Sequence, residues 1–400
     1  MTSYREKNKQ KKFIQNKKKL TVTLILFAIL YLSLIAYYIC KYGFSLKHMG
    51  ATLYLLDYNF YYGTRIFIGS IYALLFNHIS ENMIFAFNIA AYLLSVVLFF
   101  IVTKPCLDRA IKRKNITLLF VFFVFFTCPY SVLQFAGWLG AYDIWLILAA
   151  LLCCIMSGNK YLKWFVPMIC VAAVFTHYAF VFSLFPAVVS VQIFYILRED
   201  NRHKAGDIVS AALTFAATFL SAVYCAFFAG STVKMSESEL FGYMSERLGA
   251  EVGNRDYIIN YYFSEDSVFQ MLKNLALSIW NKSFVKENIA FFLPFFALIM
   301  LIWITCIKKS TRKQDKFKFL VFIAAFAVSS SVMFFIIEAN RWRSAAIISQ
   351  ITIICVCLKS NDKILTEVID TKDNDKWKSA MRYLAVYGLV IDVLSAPHPY

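Results

Sequence analysis

Residues 164–197 read WFVPMICVAAVFTHYAFVFSLFPAVVSVQIFYIL, a run of apolar or weakly polar side chains without a single Lys, Arg, Asp or Glu. As one helix this run would be about 51 Å long at 1.5 Å per residue. A bilayer's hydrocarbon core is roughly 30 Å thick and is crossed by about 20 residues, and tilting does not absorb the difference. The run therefore predicts two short spans that fold back near 176–179, with Pro186 kinking the second. Parity along the chain agrees. A single crossing would place 308–318, which holds six Lys and Arg, outside; two crossings return it to the cytoplasm.

Working outward, further apolar runs fall at 20–40, 83–103, 116–134, 143–157, 207–229, 288–307, 319–337 and 344–358. The expected architecture is an all-α transmembrane helix bundle of about ten spans, with residues 1–19 as a basic cytoplasmic N-terminus. Residues 20–358 form one membrane domain, and 359–400 form a cytoplasmic tail or, through 380–396, an eleventh span or interfacial helix. The run at 20–40 is longer than a signal-peptide core and lacks a small-x-small cleavage site, which reads as an uncleaved anchor.

Composition excludes the obvious alternatives. Hydrophobic residues make up 60% of the 400, charged residues 16%, and mean hydropathy is +0.61. Soluble domains run nearer 45–50% apolar with about a quarter charged. The net charge of +17 would suit a nucleic-acid protein, but its distribution does not. On the ten-span topology 30 of the 41 Lys and Arg are cytoplasmic and 11 are outside, as the positive-inside rule requires. No nucleic-acid partner is expected, and the location implied is the plasma (inner) membrane, multi-pass. The ten cysteines lie almost wholly in apolar runs and predict neither disulfides nor a zinc site. No phosphate-binding, dinucleotide or metalloprotease motif occurs, so no cofactor is predicted, with a divalent metal left open.

Two outer loops are long. In 41–82, the stretch 60–76 reads as an amphipathic or re-entrant segment. In 230–287, Val268, Met271, Leu272, Leu275 and Ile279 recur at helical spacing, as in a helix lying along the interface or packed on the span ends.

Ionisable groups near the membrane gather at the outer span ends: Asp57, Arg65, Asp143, His177, Glu338, Arg341 and Arg343. Such groups are costly at membrane depth and mark function by default. Each also has a plainer reading. Asp57 could cap 60–76 and Asp143 its own helix. Arg65 could reach lipid phosphate, His177 could be a bonded core histidine, and Glu338 could pair with Arg341 one turn on. Arg341 and Arg343 are two apart, so on a regular helix they face different ways. As catalytic candidates we take Asp57, His177 and Asp143; as substrate-binding candidates, Arg65, Arg341, Arg343 and Glu338, with guanidinium as the preferred fork for phosphate oxygens.

The basic N-terminus, about ten spans, an acid in the first outer loop and arginines in a late outer loop resemble bacterial surface-polysaccharide membrane proteins. These are the EpsG-like and Wzy-like polymerases and, more loosely, the GT-C glycosyltransferases. The first outer loop has Glu81 besides Asp57 but no Asp-x-Asp or Glu-x-Asp pair. The resemblance implies a cell-envelope enzyme that moves a sugar or oligosaccharide from a polyprenyl-phosphate carrier at the outer face. It implies Asp57 as base or metal ligand, and Arg65, Arg341 and Arg343 on the carrier's phosphates. Membrane lipids, a lipid-linked sugar and other polysaccharide assembly proteins would be the partners. A transporter or flippase of a lipid-linked or other anionic substrate, or a non-catalytic assembly partner, are the alternatives. A transporter would want polar groups along the whole path, and most spans lack an ionisable group in their middle.

Overall fold

A computed structural model describes residues 50–112, 130–253, 255–262, 292–331 and 339–370, with isolated positions elsewhere. The expected span at 20–40, most of that at 116–134, the helix at 267–281 and the segment 380–396 lie outside the described residues. Among the described residues the protein is all-helical, with no strand.

The helices used below are α1 Phe67–Leu75, α2 Glu81–Lys112, α3 Asp143–Ser157, α4 Val166–Thr176, α5 Phe185–Leu197, α6 Lys204–Phe227, α7 Glu237–Leu248, α8 Leu293–Lys309, α9 Lys313–Ser331, α10 Ala339–Lys359 and α11 Lys363–Asp370. Three of the described helices are long and apolar enough to cross a membrane: α2, α6 and the Arg341–Lys359 part of α10. Helices α3, α5 and the segment 162–176 ending in α4 are shorter and apolar.

The run 164–197 does break. Helix α4 ends at Thr176, a turn of helix occupies Phe180–Ser183, and α5 begins at Phe185. Both flanks return to one place: Lys163 pairs with Asp207, and Asn201 Nδ2 donates to Asp207 Oδ2 and to the Tyr195 carbonyl, each at 2.9 Å. Pro186 does not kink α5, as expected above, but sits in its first turn, where the missing N–H costs nothing. Pro167 opens α4 and Pro294 opens α8 in the same way.

Helix α6 is built inside out. Ser210, Thr214 and Thr218, spaced four apart, are its buried residues, while Ile208, Val209, Leu213, Phe215, Phe219, Leu220 and Phe227 are exposed. The hydroxyls close on backbone carbonyls one turn back or on Lys163, and Gln192 Nε2 donates to Thr214 Oγ1 at 3.0 Å. A water-facing helix would be sorted the other way, and small polar residues facing inward suit packing in lipid. Helix α10 is the opposite case: 94% of its apolar window is buried, against 17% for α6. It lies at the centre, packed on α2, α3, α5 and α9.

The charged groups divide between the two ends of this bundle. At one end, Lys163–Asp207, Arg198–Asp200, Lys309–Glu367 and Lys318–Asp362 pair, and Lys318 also meets Asp315 at 3.2 Å. Residues from 198–200, 309–318 and 360–364 line one recess there. Helix α11 closes this end by burying Leu365 and Val368. The other end carries the site.

The two long loops are not separate. Tyr54, Leu56, Phe60, Ile66 and Tyr72 form one core with Leu240, Met244 and Ile258. Lys234 N–H donates to the Phe60 carbonyl, and Ile79 N–H to the Arg247 carbonyl, both at 2.9 Å. Helix α1 covers only Phe67–Leu75 of the segment expected at 60–76. It passes so close to its neighbour that a Cβ on Gly69 would stand 1.9 Å from the Leu56 carbonyl oxygen.

Candidate functional site

The chain between Leu53 and α1 is irregular yet buried, so its backbone groups need partners. Tyr142, immediately before α3, supplies one: its O–H lies 2.7 Å from the carbonyls of both Leu53 and Arg65. The Tyr142 ring stands edge-on to Tyr54 at 5.2 Å. Tyr61 O–H donates to the Thr64 carbonyl across the tight turn. Arg65 ends that turn at φ 69°, a left-handed conformation rare for a residue with a Cβ. This backbone sends a guanidinium that is only 8% exposed into the protein.

Its neighbour there is His177. The fold-back brings this residue in: His177 caps α4 in extended conformation, donating its N–H to the Ala173 carbonyl at 2.9 Å. Thr64 stitches the two segments, since its Oγ1 accepts from Tyr178 N–H at 3.0 Å and donates to the Val174 carbonyl at 3.3 Å. Arg65 Nη2 lies 3.4 Å from His177 Nε2, and Ala179 N–H donates to Nδ1 at 3.1 Å. Burial first, then the positive charges of Arg65 and Arg341, push the imidazole well below the ordinary histidine range. Both effects favour the neutral imidazole over the imidazolium.

Arg341 reaches this cluster from α10 and forms an ion pair with Asp143 at 2.6 Å, both side chains about five-sixths buried. That geometry corrects the capping reading of Asp143. The residue before the helix is Tyr142, which makes no side-chain cap, and Asp143 is the first helical residue with its acid turned to Arg341. Helix α10 begins at Ala339, earlier than the span expected from 344, and is regular through Arg343. The two arginines accordingly diverge, with Arg343 fully buried. Glu338 lies outside the described residues.

Asp57 is used otherwise. Its Oδ1 accepts from Asn59 N–H at 2.8 Å; its Oδ2 accepts from Tyr243 O–H at 2.5 Å and from Arg247 Nη1 at 2.6 Å. Arg247 also donates to the Leu55 carbonyl at 2.8 Å. Asp57 thus holds a turn and docks α7, and does not cap a helix over 60–76. Burial, then the bond to Asp57, raises the Tyr243 phenol above its usual range. Arg65, His177, Asp143 and Arg341 come together, while Asp57 stands in a separate network.

No protein-family model, no curated protein and no solved structure matches this chain. Among the described residues no three His, Cys, Asp or Glu side chains are grouped to hold a metal ion.

Sequence reasoning missed Arg247, Tyr243 and Tyr142. A signal for α7 was present in Ser236-Glu237-Ser238-Glu239, a capping box in which the Glu239 carboxylate accepts from Ser236 N–H at 2.8 Å and O–H at 2.7 Å. Gly249, left-handed at φ 69°, ends the same helix. With those two marks, Leu240, Met244 and Arg247 fall on one face.

What the cluster offers chemically is two guanidiniums beside a neutral imidazole, with one carboxylate in reach. Guanidinium forks suit phosphate oxygens. Fixed cations in a buried setting stabilise charge that develops on a leaving group.

Proposed function

We propose that this chain is a multi-pass enzyme of the plasma membrane that transfers a sugar or oligosaccharide from a polyprenyl-phosphate or pyrophosphate carrier to an acceptor at the outer face. The observation that carries the reading is the convergence of Arg65 and Arg341 on a neutral His177 at one end of the bundle. In this reading the acceptor's hydroxyl oxygen bonds to the anomeric carbon while the bond from that carbon to the carrier's phosphate oxygen breaks. The electron pair stays with the phosphate, which Arg65 and Arg341 hold. The hydroxyl proton passes to Asp143, the carboxylate within the cluster. Asp57, whose oxygens are already taken, has no part in the transfer.

The ten-span topology belongs to the same proposal. The inverted surface of α6 favours lipid around the bundle. Residues 163, 198–206, 309–318 and 359–363, all expected on the cytoplasmic side, meet at the end opposite His177. A membrane-impermeant thiol reagent applied to intact cells tests sidedness: Ser238→Cys should react, and Lys160→Cys only after permeabilisation. The reverse pattern overturns the orientation.

Activity is tested with protein in nanodiscs and a labelled polyprenyl-pyrophosphate-linked sugar. Arg341→Lys keeps a charge for Asp143 but loses the planar fork, and should cut glycosidic bond formation about a hundredfold, or about 2.7 kcal/mol of barrier. Unchanged turnover in that variant removes Arg341 from the mechanism. Movement of the labelled lipid between leaflets with no bond formed would make the protein a flippase instead.

A further inference from the structure

His177 stands between two groups that only donate. Ala179 N–H lies 3.1 Å from Nδ1, and Arg65 Nη2 lies 3.4 Å from Nε2. A neutral imidazole has one acceptor nitrogen. The shorter and backbone-fixed bond claims Nδ1, which places the ring proton on Nε2, a tautomer assigned from the bonding network. Nε2–H then points toward Arg65, in a side chain more than nine-tenths buried. Among the described residues no acceptor lies on it. A buried N–H set against another donor is unfavourable unless an acceptor lies within reach of both.

Two further features favour an anion at this point. Helix α3 starts at the cluster, at Asp143, and presents its positive end to it. Arg341, from the first turns of α10, adds its charge close enough to bear on His177. Donor nitrogens 3.4 Å apart leave no room on the line between them, but one oxygen set to the side can lie about 2.8 Å from each, an ordinary hydrogen-bond length.

We propose that an oxygen of a phosphate or pyrophosphate group sits to one side of His177 Nε2 and Arg65 Nη2, within reach of both, with His177 donating to it and not acting as a base. Naming phosphate among oxyanions rests on the transferase reading above; the two-donor geometry does not. His177 is then a substrate-holding residue, fixed in its donating tautomer by the Ala179 amide.

The test uses the full chain in nanodiscs, with inorganic pyrophosphate and farnesyl pyrophosphate as probes and ligand-induced thermal stabilisation as the measure of binding. His177→Gln offers an amide N–H near the Nε2 position but no basic nitrogen. It should bind within about threefold of wild type, whereas His177→Ala should bind at least about tenfold more weakly. Nitrogen-15 spectra of histidine-labelled protein, with the His177 signal identified by its loss in the alanine variant, should show a bare Nδ1 and a protonated Nε2. Binding of both probes, or of farnesyl pyrophosphate alone, supports the site; the second result assigns it to a lipid-borne group. An Nδ1–H tautomer, equal loss in the glutamine and alanine variants, or no response to either probe overturns it. If binding follows the expected order but no glycosidic bond is ever formed, the anion site stands and the transferase reading falls. If bond formation proceeds with no probe bound at His177, the reverse holds.

Discussion

Replacing Arg65 by glycine and, separately, by alanine removes the same guanidinium but treats the backbone differently. At φ 69° a residue with a Cβ is in the left-handed region, which costs about 1–2 kcal/mol. Glycine escapes that cost but returns about 0.5–1 kcal/mol through the greater freedom of its unfolded chain. The glycine variant should therefore be more stable than the alanine variant by about 0.5–1 kcal/mol, the reverse of the usual order of these residues. In a chain of this size that is roughly one to two degrees of unfolding midpoint, readable by paired thermal scans at one scan rate in one detergent. Both variants should lose pyrophosphate binding equally, because neither offers a cation. The backbone here is held by Tyr142, whose O–H meets the Arg65 carbonyl at 2.7 Å, so Tyr142→Phe should shrink the glycine advantage. An alanine variant as stable as the glycine variant would mean that the turn relaxes to negative φ without cost. It would refute the view that the backbone is constrained in order to present Arg65 inward.

Other consequences can be checked in the same preparations. The His177 imidazole is held well below its ordinary range by burial and by two arginines, so below about pH 6.5 the unfolded chain takes up a proton that the folded one refuses. Stability should fall as pH drops through that window and recover as it rises, and His177→Gln should remove this part of the dependence; an unchanged profile refutes it. Asp143 and Arg341 are 15% and 16% exposed, so Asp143→Asn should cost about 3 kcal/mol by leaving a mostly buried guanidinium without its carboxylate. Adding Arg341→Gln should recover part of that loss, and additive losses in the double variant would show that the two do not couple. Asp57→Asn should loosen α7, seen as faster proteolysis between residues 237 and 249. Loss of activity in that variant with α7 still protected would return Asp57 to the reaction.

The parts of this molecule that were legible in the sequence are those set by length and hydropathy. A bilayer admits about 20 helical residues, so 164–197 had to turn, and the turn falls at His177–Ala179. Helix α3 matches its apolar run residue for residue because Gly158 and the segment before Asp143 interrupt the pattern on both sides. Asp143, His177, Arg65 and Arg341 were visible as charges or potential charges at the expected outer ends of apolar runs. Their pairing was not, because ion pairs between segments far apart along the chain leave no local periodicity.

Asp57 shows the limit most plainly. Its position in an aromatic loop near the membrane argued for chemistry, and the structure gives each of its oxygens a partner. The deciding partner, Arg247, sits in a stretch that hydropathy reads only as hydrophilic loop. The capping box at Ser236–Glu239 would have made that stretch a helix, but nothing in it says which buried carboxylate the helix meets. Arg65 is harder still, since an arginine in left-handed conformation has no composition signal: it follows from Tyr61, Thr64 and Tyr142 closing the turn around it. Charge at the end of an apolar run therefore finds candidates, and only the hydrogen bonds sort them. A carboxylate whose oxygens are all engaged holds the fold together. An imidazole that meets a donor at each nitrogen is where we place the proposed anion.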